Sequence, residues 1–99
     1  MIYDFDWDPG KARSNQQKRG ISFRLATTVL RDPMALTIYD KDHSSEEDRW
    51  VTLGQSESGQ LLVVVHTWSW IEPAEVKVRI ISARRADSGE IRDYQEIPR

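Results

Sequence analysis

The run from Leu61 to Val65 constrains this chain more than any other segment. It holds five consecutive apolar residues, the last three of them valine. A run this short and this β-branched reads as a central strand buried on both faces rather than as a helix. The other segments are therefore read for what surrounds that strand. Tyr3, Phe5 and Trp7 alternate with Asp4, Asp6 and Asp8, the period of a short strand with one buried face. Residues 35–39 read as an edge strand, and Arg49 to Leu53 alternates again. Val76, Val78 and Ile80 alternate with Lys77, Arg79 and Ile81, giving a strand with one basic face.

Helix signals lie between and after these strands. Asp8 is a good N-cap, Pro9 suits the first helical position, and Gly20 is a natural stop for the polar stretch from Lys11 to Arg19. Ser22 caps a second helix whose apolar side is Phe23, Leu25, Ala26, Val29 and Leu30, and Asp32-Pro33 ends it. Asp87 and Glu90 have capping-box spacing at the head of a last helix running to Ile97. Asp40 to Asp48 reads as an acidic loop, Gly54 to Gly59 as a turn, and Trp68 to Glu75 as a long turn bent at Pro73. Helices segregated from consecutive strands imply an α+β fold: an antiparallel sheet of about four or five strands packed with three helices. At 99 residues, positions 1–99 form a single domain.

Composition removes several function classes. There is no cysteine, which excludes disulfides, thiolate metal sites and a cysteine nucleophile. The two histidines lack paired ligand spacing and no glycine-rich phosphate loop is present, so neither a metal nor another cofactor is expected. No apolar run approaches the ~20 residues of a membrane span, and the acidic N-terminal segment has no apolar signal core. The expectation is a cytoplasmic protein with no membrane partner. The net charge of −2 argues against nucleic acid, but its distribution argues otherwise. Two blocks, Gly10 to Arg24 and Val76 to Ala86, hold nine Lys and Arg side chains and no acid. They are either a convergent phosphate site or two solvated faces.

Four fragments in order resemble one known family. They are Phe5-Asp6-Trp7-Asp8 with Lys11, Asn15 and Lys18 to Phe23; His43-Ser44 with Glu47 and Arg49; Leu61 to Thr67; and Arg79 to Ala86 followed by Glu90 and Tyr94. Together they resemble the BrnT family of toxin–antitoxin ribonucleases. The resemblance implies a RelE-like fold, metal-independent RNA cleavage, arrest of translation and growth, and neutralisation by a cognate BrnA-like antitoxin in a hetero-oligomer. It also implies that operator DNA is bound only through the antitoxin. Arg19 stands where the family usually carries histidine, and the last helix opens on Asp87-Ser88-Gly89 where many members are more basic. These departures motivate the alternative, a catalytically inactive binding module that acts with its antitoxin in autorepression of its operon.

Metal-free RNA cleavage needs a base for the 2′-hydroxyl, positive charge on the phosphate, and an acid for the leaving 5′-oxygen. The candidates for catalysis are Arg79 and Arg49 as phosphate clamps, with Glu47, His43 or Lys18 moving protons. Lys11, Arg19, Lys77, Arg84 and Arg85 are the candidates for RNA binding. Arginine suits a phosphate because it is always charged and binds two oxygens at once. Glu47 and Arg49, two apart, read either as an internal ion pair or as an acid–base group with its clamp. His66, closing the apolar strand, reads as a core histidine satisfied by a hydrogen bond. Trp68 and Trp70 read as core or partner-interface groups, with base stacking as the other possibility. The basic strand face is the expected target of the antitoxin.

Overall fold

The computed structural model describes residues 1–98. The chain runs through β1 (Ile2–Trp7), α1 (Pro9–Arg19), α2 (Phe23–Val29), β2 (Leu36–Tyr39), β3 (Trp50–Gln55), β4 (Leu61–His66), β5 (Ser69–Glu72), β6 (Glu75–Arg85) and α3 (Ser88–Glu96), with one 3-10 turn at Lys41–His43. The sheet has six strands in the order β1-β6-β4-β3-β2, and β5 pairs with β6 outside that path. This exceeds the four or five strands expected from the sequence. The extra strand is β5, which lies inside the segment read as a long turn. β6 is 11 residues long, and β4 pairs only with its second half, from Ile80 to Arg85. β5 occupies the same edge beside the first half, with Ser69 opposite Lys77 and Trp70 opposite Val76. β1 pairs with β6 in parallel and every other pairing is antiparallel. The whole of α1 to β5 separates β1 from β6, long enough for the crossover that a parallel pair requires.

Alternation assigns the two faces of the sheet. Val76, Val78 and Ile80 of β6 and Leu62 and Val64 of β4 are buried against Ile21, Phe23, Ala26 and Val29 of the α1–α2 layer. Tyr3, Phe5 and Trp7 pack on the same core, and Trp7 meets Phe23 edge to face at 6.2 Å. Gly20, with φ of 70°, ends α1 in the left-handed region that glycine adopts without a steric penalty. Gly54 has a different role: a Cβ there would stand 2.9 Å from Val29 Cγ1 and 3.1 Å from Ala35 Cβ, so its bare backbone lets α2 lie close on β3.

Two polar devices fix this layer. Asn15, buried on α1, donates through Nδ2 to the carbonyls of Ile21 and Ala83, both at 2.9 Å, and accepts from Ala83 N–H at 3.1 Å. One side chain thereby joins the first helix, the inter-helix loop and the central strand β6. Asp32, after α2, accepts from the Gln55 amide at 2.7 Å and from the Tyr94 hydroxyl at 2.6 Å. Its other oxygen accepts from the Met34 amide. Asp32 therefore links the end of α2, the end of β3 and α3.

Candidate active site

The face of the sheet opposite α1 and α2 is where β6 presents Lys77 and Arg79. The pleat sends their neighbours Val76, Val78 and Ile80 into the core, so the basic face predicted from the sequence is present and exposed. Parallel pairing places Asp4 opposite Lys77 and Asp6 opposite Arg79. Lys77 Nζ lies 3.3 Å from Asp6 Oδ2. The basic row is thus met by an acidic row that sequence reading missed as a site component. Alternation puts Asp4 and Asp6 on the outer face, but nothing local announces that β1 and β6 are neighbours.

The loop between β2 and β3 closes over one end of this face. Asp40 accepts from His43 Nδ1 at 3.1 Å, the Ser44 hydroxyl accepts from the Arg49 amide at 3.0 Å, and the Tyr39 hydroxyl donates to Asp48 at 2.9 Å. These bonds shape the loop so that Glu47 reaches across to Arg79. One guanidinium nitrogen of Arg79 bonds both carboxylate oxygens of Glu47. Glu47 therefore pairs with Arg79, 32 residues away in sequence, among the described residues; the internal pair considered with Arg49 is not the one formed.

Two adjoining cavities share Glu47. One, of about 290 Å³, is lined by Asp6, Asp48, Thr67, Trp68, Lys77 and Arg79 in addition to Glu47 and Ser69. The other, of about 320 Å³, is lined by Asp42, His43, Ser45, Glu46 and Arg49 as well as Glu47. The Nε of Arg49 is buried without a hydrogen-bond partner among the described residues. The structure thus brings together Arg79, Glu47 and Lys77, with His43 and Arg49 in the adjoining cavity.

The other candidates lie elsewhere. Lys11, Lys18 and Arg19 are exposed on α1, and α1 packs on the opposite side of the sheet from Arg79. Asn15 holds that orientation, so these three side chains do not join the Arg79 face. Arg84 makes paired 2.8 Å bonds to the two oxygens of Glu90. That guanidinium, chief among several contacts, holds the Glu90 carboxyl down to about 2, and the pair pins α3 to the sheet. Arg85 is exposed at the end of β6.

His66 supports the site from beneath. Its Nδ1 donates to the Thr67 carbonyl at 2.9 Å, which leaves Nε2 to accept from the Thr52 hydroxyl at 2.7 Å. Thr52 in turn lies 2.8 Å from the Thr37 hydroxyl. The core role read from the sequence is what the structure shows. The register slips between Val65 and His66, and Thr67 then bonds Arg79 twice: its amide donates to the Arg79 carbonyl and its hydroxyl accepts from the Arg79 amide, both at 3.0 Å, while His66 holds the Thr67 carbonyl. Thr67 is a second component that sequence reading missed.

Burial pushes the His66 pKa below its ordinary 6.5, with the bond to Thr67 opposing. A lowered folded pKa means that the unfolded chain takes the proton first, so stability is complete above 6.5 and declines as pH falls through that value. Glu90 contributes in a lower window, because a carboxyl held near 2 loses its contribution only below its ordinary 4.5. Urea midpoints measured at pH 7.5 and 5.5 are therefore expected to fall on acidification. His66→Gln, neutral at both values, is expected to flatten that difference; an unchanged difference would remove His66 as its source.

Among the described residues, no group of three or more His, Asp or Glu side chains is placed to hold a metal ion. No helix among them is long and apolar enough to cross a membrane.

Comparison with known proteins adds to this geometry. The family model described as the ribonuclease toxin BrnT of type II toxin–antitoxin systems matches residues 7–90. Among solved structures, the Brucella abortus ribonuclease toxin BrnT superposes with a TM-score of 0.60 at 20% identity, covering 89% of this chain and 100% of that one. That likeness shows a shared α+β fold. No curated protein matches the chain. The family match takes in the four sequence fragments from Trp7 to Glu90, including Asn15, Glu47 and Arg79. By that match this chain belongs to the BrnT family of ribonuclease toxins of type II toxin–antitoxin systems.

Proposed function

We propose that the chain is an endoribonuclease that cleaves RNA by attack of the 2′-hydroxyl on the adjacent phosphate, without a metal ion, at the face formed by Arg79, Lys77 and Glu47. The observation that carries this reading is the Arg79–Glu47 pair, a cation and a carboxylate joined over an open cavity. A substrate phosphate competes with Glu47 for Arg79, since guanidinium binds carboxylate and phosphate through the same fork. Exchange frees the Glu47 carboxylate beside the nucleotide. Glu47 then takes the 2′-hydroxyl proton, the O2′–P bond forms, and the P–O5′ bond breaks. The leaving 5′-oxygen takes a proton from His43, whose cavity adjoins on the far side of Glu47. The products are a 2′,3′-cyclic phosphate and a 5′-hydroxyl. Arg79 and Lys77 stabilise the charge that builds on the phosphate, and Arg49 supports the same role from the second cavity.

Lys11, Lys18, Arg19, Arg84 and Arg85 lie outside this centre. In the cell the activity arrests translation and growth, and a BrnA-like antitoxin both silences it and carries the complex to operator DNA. A second reading rests on the same pair: a clamp already neutralised by Glu47 fits an inactive module that survives as its antitoxin's partner in autorepression. An RNA oligonucleotide with a 2′-deoxy sugar at the cleavage site separates these readings. The proposed mechanism requires that this oligonucleotide stay intact and that the all-ribose strand yield a cyclic phosphate end. Cleavage of the deoxy substrate would overturn the mechanism, and two intact strands would favour the inactive module.

A further inference from the structure

The far half of the same sheet face carries a second feature that the proposed chemistry does not use. Val51, Leu53 and Val63 alternate with the core-facing Thr52, Gly54 and Val64, so they point away from α1 and α2. With Leu36 and Ile38 they floor a groove of about 700 Å³ beneath α3. α3 has no fully buried residue, and polar contacts pin it: its capping box, the Arg84–Glu90 pair and the Tyr94–Asp32 bond. The groove is thus left open rather than filled by the helix. Its rim is Glu90, Asp93 and Glu96, and no cation lines it among the described residues.

The groove opens beside an unguarded sheet edge. The strand order ends at β2, whose outer edge carries no strand among the described residues. Its sequence, Leu36-Thr37-Ile38-Tyr39, has no charge and no proline, and Ile38 is 67% exposed. Edge strands are ordinarily protected by such residues, because a bare edge is a template for another strand. An exposed apolar edge of this kind is a surface suited to pairing with a partner's strand.

We propose that β2 and the groove form the docking surface for the antitoxin. A basic amphipathic segment of that protein adds as a strand to β2, lays its apolar side chains on Ile38, Val51 and Leu53, and sets its cations against Asp93 and Glu96. This rests on the family reading, which supplies an antitoxin partner. Charge selects the occupant. A second copy of this chain would oppose one acidic rim to another, and RNA would meet the same carboxylates, whereas a basic segment is complementary. The surface also communicates with the proposed active site. β2 ends at Tyr39, whose hydroxyl holds Asp48 next to Glu47, so a strand on β2 fixes the loop that clamps Arg79. The antitoxin then silences the chain without covering the Lys77–Arg79 row.

The test uses antitoxin isolated from its complex with this chain, the chain being expressed from its own locus, and calorimetric titration at low and high salt. Ile38→Asp, at an exposed edge position, is expected to weaken binding at least thirtyfold. Reversing the rim with Asp93→Lys and Glu96→Lys is expected to weaken it about tenfold and to remove most of its salt dependence. Thermal unfolding checks that both variants are folded. Folded variants that bind within twofold of the parent overturn the proposal, as does loss of binding only on Lys77→Glu. Failure to recover any antitoxin complex also overturns it, and so does a homodimer in sedimentation that Ile38→Asp dissolves. RNA cleavage by the free chain is measured separately. A chain that cuts no RNA yet binds through β2 removes the nuclease reading alone, and one that cuts RNA but binds elsewhere removes this proposal alone.

Discussion

Arg79→Ala is expected to lower RNA cleavage by about 10²–10³-fold, the loss that follows removal of one preorganised charge-stabilising donor. The fold is expected to survive. The side chain lies on the open face, 44% exposed, while Val78 and Ile80 on either side carry the packing of β6. The backbone of Arg79 keeps both bonds to Thr67, since neither involves the guanidinium. Among the described residues the side-chain pair lost is the one with Glu47, and a surface pair of this kind is worth about 0.2–1 kcal/mol. Arg79→Lys keeps the charge but not the fork and is expected to fall between the two. Single-turnover cleavage rates beside thermal unfolding curves check all three proteins. An alanine variant within a few-fold of the parent would remove Arg79 from the chemistry.

The largest expected loss of stability is at a polar residue. Asn15→Leu conserves approximate volume but leaves the Ile21 carbonyl and both backbone groups of Ala83 without their side-chain partner. Each buried polar group stripped in this way costs about 1–3 kcal/mol, so the loss of all three is on the order of 3–9 kcal/mol. For a domain of this size that is a fall of roughly 15 °C or more in Tm. Asn15→Asp retains the acceptor and loses both donations, so it is expected to destabilise as well, with an added cost for the buried charge. Calorimetric unfolding at pH 7.5 checks both. A leucine variant within 1 kcal/mol of the parent would mean that Asn15 is not the tie between α1 and β6 described above.

What was legible in the sequence follows from locality. Caps at Asp8, Ser22 and Asp87 are local signals, and all three helices begin where those residues place them. The alternation at Val76 to Ile80 is equally local, so the exposure of Lys77 and Arg79 was readable. β5 was not, because four residues ending beside Pro73 look like a turn until β6 is known to extend beyond the end of β4. The pairing of Glu47 with Arg79 was not readable for a related reason. Glu47 and Arg49 are near in sequence, but the loop is shaped by side-chain bonds from Asp40, Ser44 and Tyr39, and these carry Glu47 across to β6. Lys18 shows the converse limit. Its fragment reads as part of the family pattern, yet the buried Asn15 turns α1 so that Lys18 and the Arg79 face lie on opposite sides of the sheet. Asp6 required knowledge of a parallel pairing that spans most of the chain.

The most direct measurement is incubation of the purified chain with purified RNA in excess EDTA, followed by sizing of the fragments. Metal-independent cleavage at the Arg79 face is expected to give discrete products at substoichiometric protein, unchanged by the chelator. RNA that stays intact at protein excess would contradict it.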